Sequence, residues 1–376
     1  MIRAGNFTKL LGDCGIDFFA GVPDSLMKPF CDHLAYDIPK EKHVICANEG
    51  AAVGLAMGYH LSTGKIPLVY MQNSGLGNAV NPLLSMADKD VYSIPVLLMI
   101  GWRGEPGIED EPQHKKTGRT LIGLLKAMEI PFSILDGGLE NAETSIRDAV
   151  SYMTASRAPY ALVVRKSVFE PAKYTVPQEA GITLTREEAI RQVLDLIGGD
   201  SVTVSTTGMA SREIFEYREF LKQGHGRDFL VIGGMGHASQ IANGVASAKG
   251  GRNVFCIDGD GSAIMHLGSM ATTGTMKCGS FYHVILNNGA HDSVGGQPTA
   301  GFNISFTDAA KALGYNAVFR AQTHDEIDTC MKTILKSEGP ILLEILVKRG
   351  NRPELGRPTE SPVEMKAEFM EFLRGE

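Results

Sequence analysis

Short apolar runs of strand length recur along this chain in two sets of six, each separated from the next by a segment long enough for a helix. The first set is Ile16–Ala20, His43–Cys46, Pro67–Met71, Pro95–Ile100, Phe132–Leu135 and Tyr160–Arg165. The second is Ser201–Ser205, Asp228–Ile232, Asn253–Asp258, Phe281–Leu286, Ala317–Arg320 and Ile341–Val347. Many are unbroken Val, Ile, Leu and Phe runs, which is how strands covered by helices on both faces read. Strand–helix alternation implies βαβ units. The pattern predicts an α/β chain with two doubly wound, mostly parallel six-stranded sheet domains.

The two sets are divided by Glu170–Pro177, which carries two prolines and no hydrophobic period. Beyond it, Thr185-Arg-Glu-Glu188 fits a capping box that opens a new helix. The expected organisation is a domain over 1–170, a linker over 171–182, a second domain over 183–350 and a tail over 351–376. The tail ends in a helical stretch, Met365–Leu373.

Composition excludes several classes. The net charge of −7 argues against a nucleic-acid binder, which needs a basic face. The opening residues carry no apolar stretch of signal-peptide length, and no run approaches the roughly 18 residues of a membrane span. The six cysteines, at 14, 31, 46, 256, 278 and 330, form no CxxC pair. They read as reduced thiols of a cytoplasmic protein. Gly is in excess at 43 of 376 residues, where roughly 7% is usual. With no low-complexity run to hold them, the glycines belong at tight turns and close backbone contacts.

The strongest local signal is Cys256-Ile-Asp-Gly-Asp-Gly-Ser262 followed by Val284-Ile-Leu-Asn-Asn-Gly289. Each begins as a strand and ends in polar residues and glycine. The spacing allows one helix and the next strand between them, so both strand ends can converge at one sheet edge, where open α/β sheets bind ligands. Asp260 and Asn287 would offer hard oxygen donors suited to Mg²⁺. Gly259 and Gly261 would let backbone N–H groups approach a phosphate, with a helix beginning near Ser262. Taken singly, Asp-Gly and Asn-Gly are common turn dipeptides.

The pair resembles the metal–diphosphate motif of the thiamine diphosphate enzymes. The resemblance implies thiamine diphosphate and Mg²⁺ as cofactors, with Asp260, Asn287 and the Gly289 carbonyl as metal ligands. It extends over nearly the whole chain. Ala47–Tyr59 is similar to the segment with the cofactor-activating glutamate, here Glu49. Asn73-Ser-Gly-Leu-Gly77, with Ser74 and Gly75, resembles the glycine turn of the pyrimidine-binding domain. Thr206-Thr-Gly208, with Thr207 and Gly208, resembles the loop beside the aminopyrimidine. Gly233-Gly-Met-Gly236 resembles the turn in which Met235, after Gly234, props the cofactor in its bent shape. No room remains for the middle domain of many family decarboxylases. Ala20–Ser25, Gly101–Gly107 and Asp110–His114 are most similar to the phosphonopyruvate decarboxylase branch, with sulfopyruvate decarboxylases as its sister group. That branch implies a 2-oxo acid substrate with an anionic tail, and a homo-oligomer whose active sites lie at subunit interfaces.

The remaining site residues carry two readings each. Glu49 at a helix start suits the helix dipole. As the activating acid it would be shielded by Ala51, Ala52, Gly54 and Ala56 and would protonate a ring nitrogen. Met235 could be core filler. His114, in a charged loop after the fourth strand, and Asp292 are the candidates for proton handling, with Asp24 and Ser25 nearby and His291 after the Asn-Asn turn. Arg103, Lys115, Lys116, Arg119 and Arg352 are candidate anion binders, or simply a solvated face. A rival reading takes Gly234-Met-Gly236 through Asp258 as a dinucleotide unit for a nicotinamide-dependent oxidoreductase. Ser239 stands where its third glycine belongs, and Glu49 and Asn287 stay unexplained. A non-catalytic subunit of this fold would not need Glu49, Asp260 and Asn287 together.

Overall fold

A computed structural model describes residues 1–174, 176, 178–248 and 251–375. Thr175 and Pro177, within the expected linker, lie outside the described residues. The chain divides into two compact units, residues 1–176 and 177–376.

The first unit holds β1 (Phe19–Gly21), β2 (His43–Ile45), β3 (Leu68–Gln72), β4 (Leu97–Gly101), β5 (Phe132–Leu135) and β6 (Tyr160–Val164). They form one parallel sheet in the order β2-β1-β3-β4-β6-β5. Side chains alternate across a strand, so Leu68 and Tyr70 enter one buried cluster and Val69 and Met71 the other. Both faces of the sheet are covered, hence the unbroken apolar run. β1 starts at Phe19 and not at the expected Ile16. Ile16 is taken up in closing the first helix, its N–H donated to Leu11 O at 2.9 Å.

The second unit holds β7 (Val202–Ser205), β8 (Asp228–Leu230), β9 (Val254–Gly259) and β10 (Phe281–Asn287), then the short β11 (Ala290–His291) and β12 (Gln297–Pro298), then β13 (Ala317–Ala321) and β14 (Ile341–Leu346). The main sheet is parallel in the order β13-β14-β10-β9-β7-β8. β11 and β12 pair antiparallel and were not expected from the sequence. Thr185 caps its helix as a complete capping box with Glu188. The C-terminal helix Pro362–Arg374 belongs to this unit. Met365 and Phe369 enter its two buried clusters.

In each sheet the chain reverses direction of growth between its first and third strands, β1 and β3 or β7 and β9, and steps back once more at its last strand, β6 or β14. Such switch points open a crevice beyond the C-terminal strand ends. The loops after β1 and β3 and those after β7 and β9 carry Asp24, Ser25, Ser74, Gly75, Thr207, Gly208 and Asp260, and the other candidates follow neighbouring strands.

Candidate active site

In the first unit, Asn48 caps the helix Glu49–Thr63 by accepting from Ala51 N at 2.9 Å, which places Glu49 in the first helical turn. Glu49 is buried, and Asn78 Nδ2 donates to its Oε2 at 2.8 Å. Its Oε1 lies against Gly75, where any Cβ would come within 2.1 Å. Burial raises the Glu49 pKa, and the Asn78 bond only partly opposes it. The shield differs from the expected one. Ala51 and Gly54 face outward, whereas Gly75 and Asn78 approach the carboxyl. A helix turns only part of its surface to the neighbour it packs on, so residues two and five positions along face elsewhere.

Beyond β1, Asp24 is fully buried. Gln72 Nε2 donates to its Oδ1 at 2.9 Å, and Ser74 Oγ in turn donates to Gln72 Oε1 at 2.8 Å. Oδ2 has no partner, and burial raises this carboxyl's pKa. Ser25 Oγ accepts from Arg103 Nη1 at 2.7 Å, and Asp110 holds the other side of the guanidinium at 2.8 and 2.5 Å. Ser25, Trp102, Arg103, Asp110 and Lys166 line a cavity of about 280 Å³.

His114 is not in a loop. Pro112 at the first helical position starts the helix Pro112–Ala127, and His114 falls in its first turn. There it is buried, with Nδ1 unpartnered. Burial, assisted by the Arg103 charge, lowers its pKa to about 4. At neutral pH it is uncharged and carries a single ring N–H. Lys115, Lys116 and Arg119 are exposed on the same helix. Arg352 is committed to Glu187, at 3.1 Å, and to Glu216.

In the second unit, Asp260 opens a short helix after β9, and Asn287 ends β10 next to it in the sheet. Both are buried. Asn287 Nδ2 donates to Gly301 O at 2.8 Å and to Glu344 Oε1 at 2.7 Å. Its Oδ1 and Asp260 Oδ2 converge on Gly301, where a Cβ would lie 2.5 and 2.4 Å from them. Thr299 Oγ1 donates to Asp260 Oδ2. Burial pushes the Asp260 pKa up to about 7. One carboxylate and one amide oxygen, converging where glycine leaves out a side chain, fit a hard divalent cation.

Other expected roles change. The Gly289 carbonyl accepts from Thr299 N and from Arg349 Nη2, each at 3.0 Å. Gly259 N–H is donated to Asp258 Oδ1 at 2.9 Å. The Ser262 hydroxyl accepts from Gly236 N at 3.0 Å and from Thr206 Oγ1 at 2.9 Å, pinning two loops together. Thr207 Oγ1 donates to Ile232 O at 2.8 Å. Met235, half-buried, lines a cleft with Thr207, Asp260, Gly261 and His291. Gly208 and Gly234 adopt left-handed backbone in the loops beside it.

The His291 ring lies against Gly261, and burial lowers its pKa to about 4. Asp292 is a brace: its Oδ2 accepts from Arg186 Nη1 at 2.8 Å, Asn288 Nδ2 at 2.7 Å and Gly350 N at 2.9 Å. Asp258, the acid of the dinucleotide reading, is held by His283 at 3.3 Å. Asn78, Thr299 and Glu344 were missed from the sequence. Only Glu344 carries a signal there, as a carboxylate inside an apolar strand.

Comparison with known proteins agrees with this geometry. Residues 4–121 match the thiamine pyrophosphate enzyme N-terminal TPP binding domain, and residues 206–345 match the C-terminal TPP binding domain. A phosphonopyruvate decarboxylase of Streptomyces viridochromogenes is 32% identical, covering 99% of this chain and 95% of its own. One of Streptomyces hygroscopicus is 32% identical, covering 99% and 94%. A sulfopyruvate decarboxylase of Methanosarcina acetivorans is 24% identical, covering 97% and 96%. The chain belongs to the thiamine pyrophosphate enzyme family, in its phosphonopyruvate decarboxylase branch.

Proposed function

We propose that this chain catalyses the thiamine diphosphate- and Mg²⁺-dependent decarboxylation of 3-phosphonopyruvate to phosphonoacetaldehyde and CO₂. The observation that carries the reading is an intact Asp260–Asn287 oxygen pair in a chain that matches two phosphonopyruvate decarboxylases over nearly its whole length. The match to the sulfopyruvate enzyme is weaker at 24%.

Asp260 and Asn287 would hold the metal, and backbone N–H groups at Gly261 and Ser262 the diphosphate. Met235 would support the cofactor from the cleft wall. When bound, the cofactor supplies the electron sink that a 2-oxo acid lacks as its carboxyl leaves. Glu49, with a carboxyl pushed towards its protonated form by burial, would share its proton with a pyrimidine nitrogen. Asn78 holds Oε2 and leaves Oε1 to do so.

The substrate's phosphonate would sit in the cavity beside Arg103, Ser25 and Lys166. Burial shifts the Asp24 carboxyl towards its protonated form, which lessens its repulsion of a dianion close by. His114 would face the substrate as an uncharged imidazole. The first unit would hold the pyrimidine and the second the diphosphate, each site being completed by a partner subunit in a homodimer or larger assembly. Among the described residues no helix is long and apolar enough to cross a membrane, and we place the reaction in the cytoplasm. Calorimetric titration with thiamine diphosphate tests the cofactor half. Binding that requires Mg²⁺ and is abolished by a chelator is expected; binding indifferent to the chelator would contradict it.

A further inference from the structure

Glu344 lies in the middle of β14, within Ile341-Leu-Leu-Glu-Ile-Leu346, a run buried at every position. A carboxylate taken out of water in such a strand is costly unless it is paired and hydrogen-bonded. Its two partners lie on opposite sides. Arg320, its register neighbour on β13, approaches Oε2 at 3.4 Å from the exposed edge of the sheet. On the other side Oε1 accepts from Asn287 Nδ2 at 2.7 Å. A line of contacts thus runs across three adjacent strands, from Arg320 through Glu344 to Asn287.

What this does to Asn287 follows from donor and acceptor inventory. An amide side chain can be turned over, exchanging its oxygen and nitrogen, with little change of shape. An ionised carboxylate only accepts, and so does the Gly301 carbonyl. Both face the Asn287 nitrogen, at 2.7 and 2.8 Å. Turned over, the amide would set its oxygen against two acceptors and its N–H groups towards Asp260. The oxygen therefore stays beside Asp260 Oδ2, at the corner left open by Gly301.

We propose that Glu344 is a positioning residue for the divalent cation: through Nδ2 of Asn287 it fixes which end of that amide faces the metal site. It touches neither substrate nor cofactor. The inference rests on the metal-site reading of Asp260 and Asn287 given above. Partners that orient a metal ligand in this way typically contribute roughly 10- to 100-fold to metal affinity.

The test uses the full-length protein, freed of metal with a chelator that is then removed, with thiamine diphosphate present in the solution. Mg²⁺ is titrated by calorimetry, and the thermal midpoint is measured separately without metal. Glu344→Gln keeps the volume but can donate as well as accept, so it no longer dictates the orientation of Asn287. Glu344→Met places apolar atoms of similar size in an apolar strand, and the partner it leaves, Arg320, is 59% exposed and so is returned to water rather than stranded in the core. Both variants are expected to lose roughly tenfold or more in Mg²⁺ affinity. The Met variant is expected to do so with its metal-free midpoint maintained, which a purely structural role for Glu344 would not produce. Asp260→Ala serves as the control for the site itself. If it binds Mg²⁺ like the unaltered chain, the metal-site reading fails. If it loses Mg²⁺ while the Gln and Met variants at 344 keep full affinity, the site stands and the role of Glu344 is overturned.

Discussion

Asn78 Nδ2 donates to Glu49 Oε2 at 2.8 Å, while Gly75 meets the other oxygen, Oε1, with a bare Cα. One carboxyl oxygen is thereby held and the other lies in a slot that admits no side chain. Glu49→Gln keeps the Asn78 contact and removes the acidic proton. Turnover is expected to fall by roughly 10²- to 10⁴-fold with cofactor binding retained. The same variant should alter the pH dependence of stability. Burial raises the folded-state pKa of Glu49 above its ordinary 4.5. The folded chain therefore binds this proton more tightly than the unfolded one, and stability from this group is lost as pH rises through the folded value. Gln does not titrate. Melting curves should show the variant gaining on the unaltered chain as pH rises and losing that advantage below about 4.5. A variant less stable at pH 8 would contradict this account of the Glu49 environment.

Gly75→Ala tests the slot directly. Its Cβ would fall 2.1 Å from Glu49 Oε1, so the carboxyl must shift. Steady-state kinetics should show a drop in kcat of about tenfold or more, since misplacing a catalytic group by about 1 Å is costly. Gly244→Ala is the control, because nothing lies within 4 Å of the added carbon. In the helix Ala238–Ala248 it should leave kcat unchanged and stabilise by up to about 1 kcal/mol.

Arg103→Lys should separate substrates. The guanidinium spans Ser25 and Asp110 at once, a fork geometry that an ammonium cannot reproduce. KM for phosphonopyruvate should rise about tenfold or more, while the slower turnover of pyruvate, which has no anionic tail, stays level. Equal effects on both substrates would remove Arg103 from the tail-binding role.

Arg186 joins Glu213 and Asp292, all three less than a tenth exposed. Arg186→Met leaves two buried carboxylates without their cation, at a cost of about 3–5 kcal/mol. Urea denaturation should register a loss of that order; a loss below about 1 kcal/mol would show that the carboxylates find other partners.

All twelve strands of the two main sheets were legible in the sequence, because a parallel sheet covered on both faces demands continuous apolar runs. Strand ends were less so: Ile16 reads as strand yet closes the helix before it. Asp260 and Asn287 were readable because each sits at the polar end of an apolar run. Asn78 was not, since its value lies in reaching Glu49 from a different helix. The contact of Arg349 with the Gly289 carbonyl was not readable either, since the arginine comes from 60 residues away. His114 reads as loop because its charged surroundings hide a helix that Pro112 begins. Thr299 approaches Asp260 through a loop with no regular period. Contacts between distant segments leave no local pattern.

The central claim is tested most directly by CO₂ release from phosphonopyruvate, sulfopyruvate and pyruvate, each offered to the purified protein with thiamine diphosphate and Mg²⁺. The account predicts the highest kcat/KM for phosphonopyruvate and no release when the metal is chelated. A preference for sulfopyruvate or pyruvate, or release that persists without cofactor and metal, would contradict it.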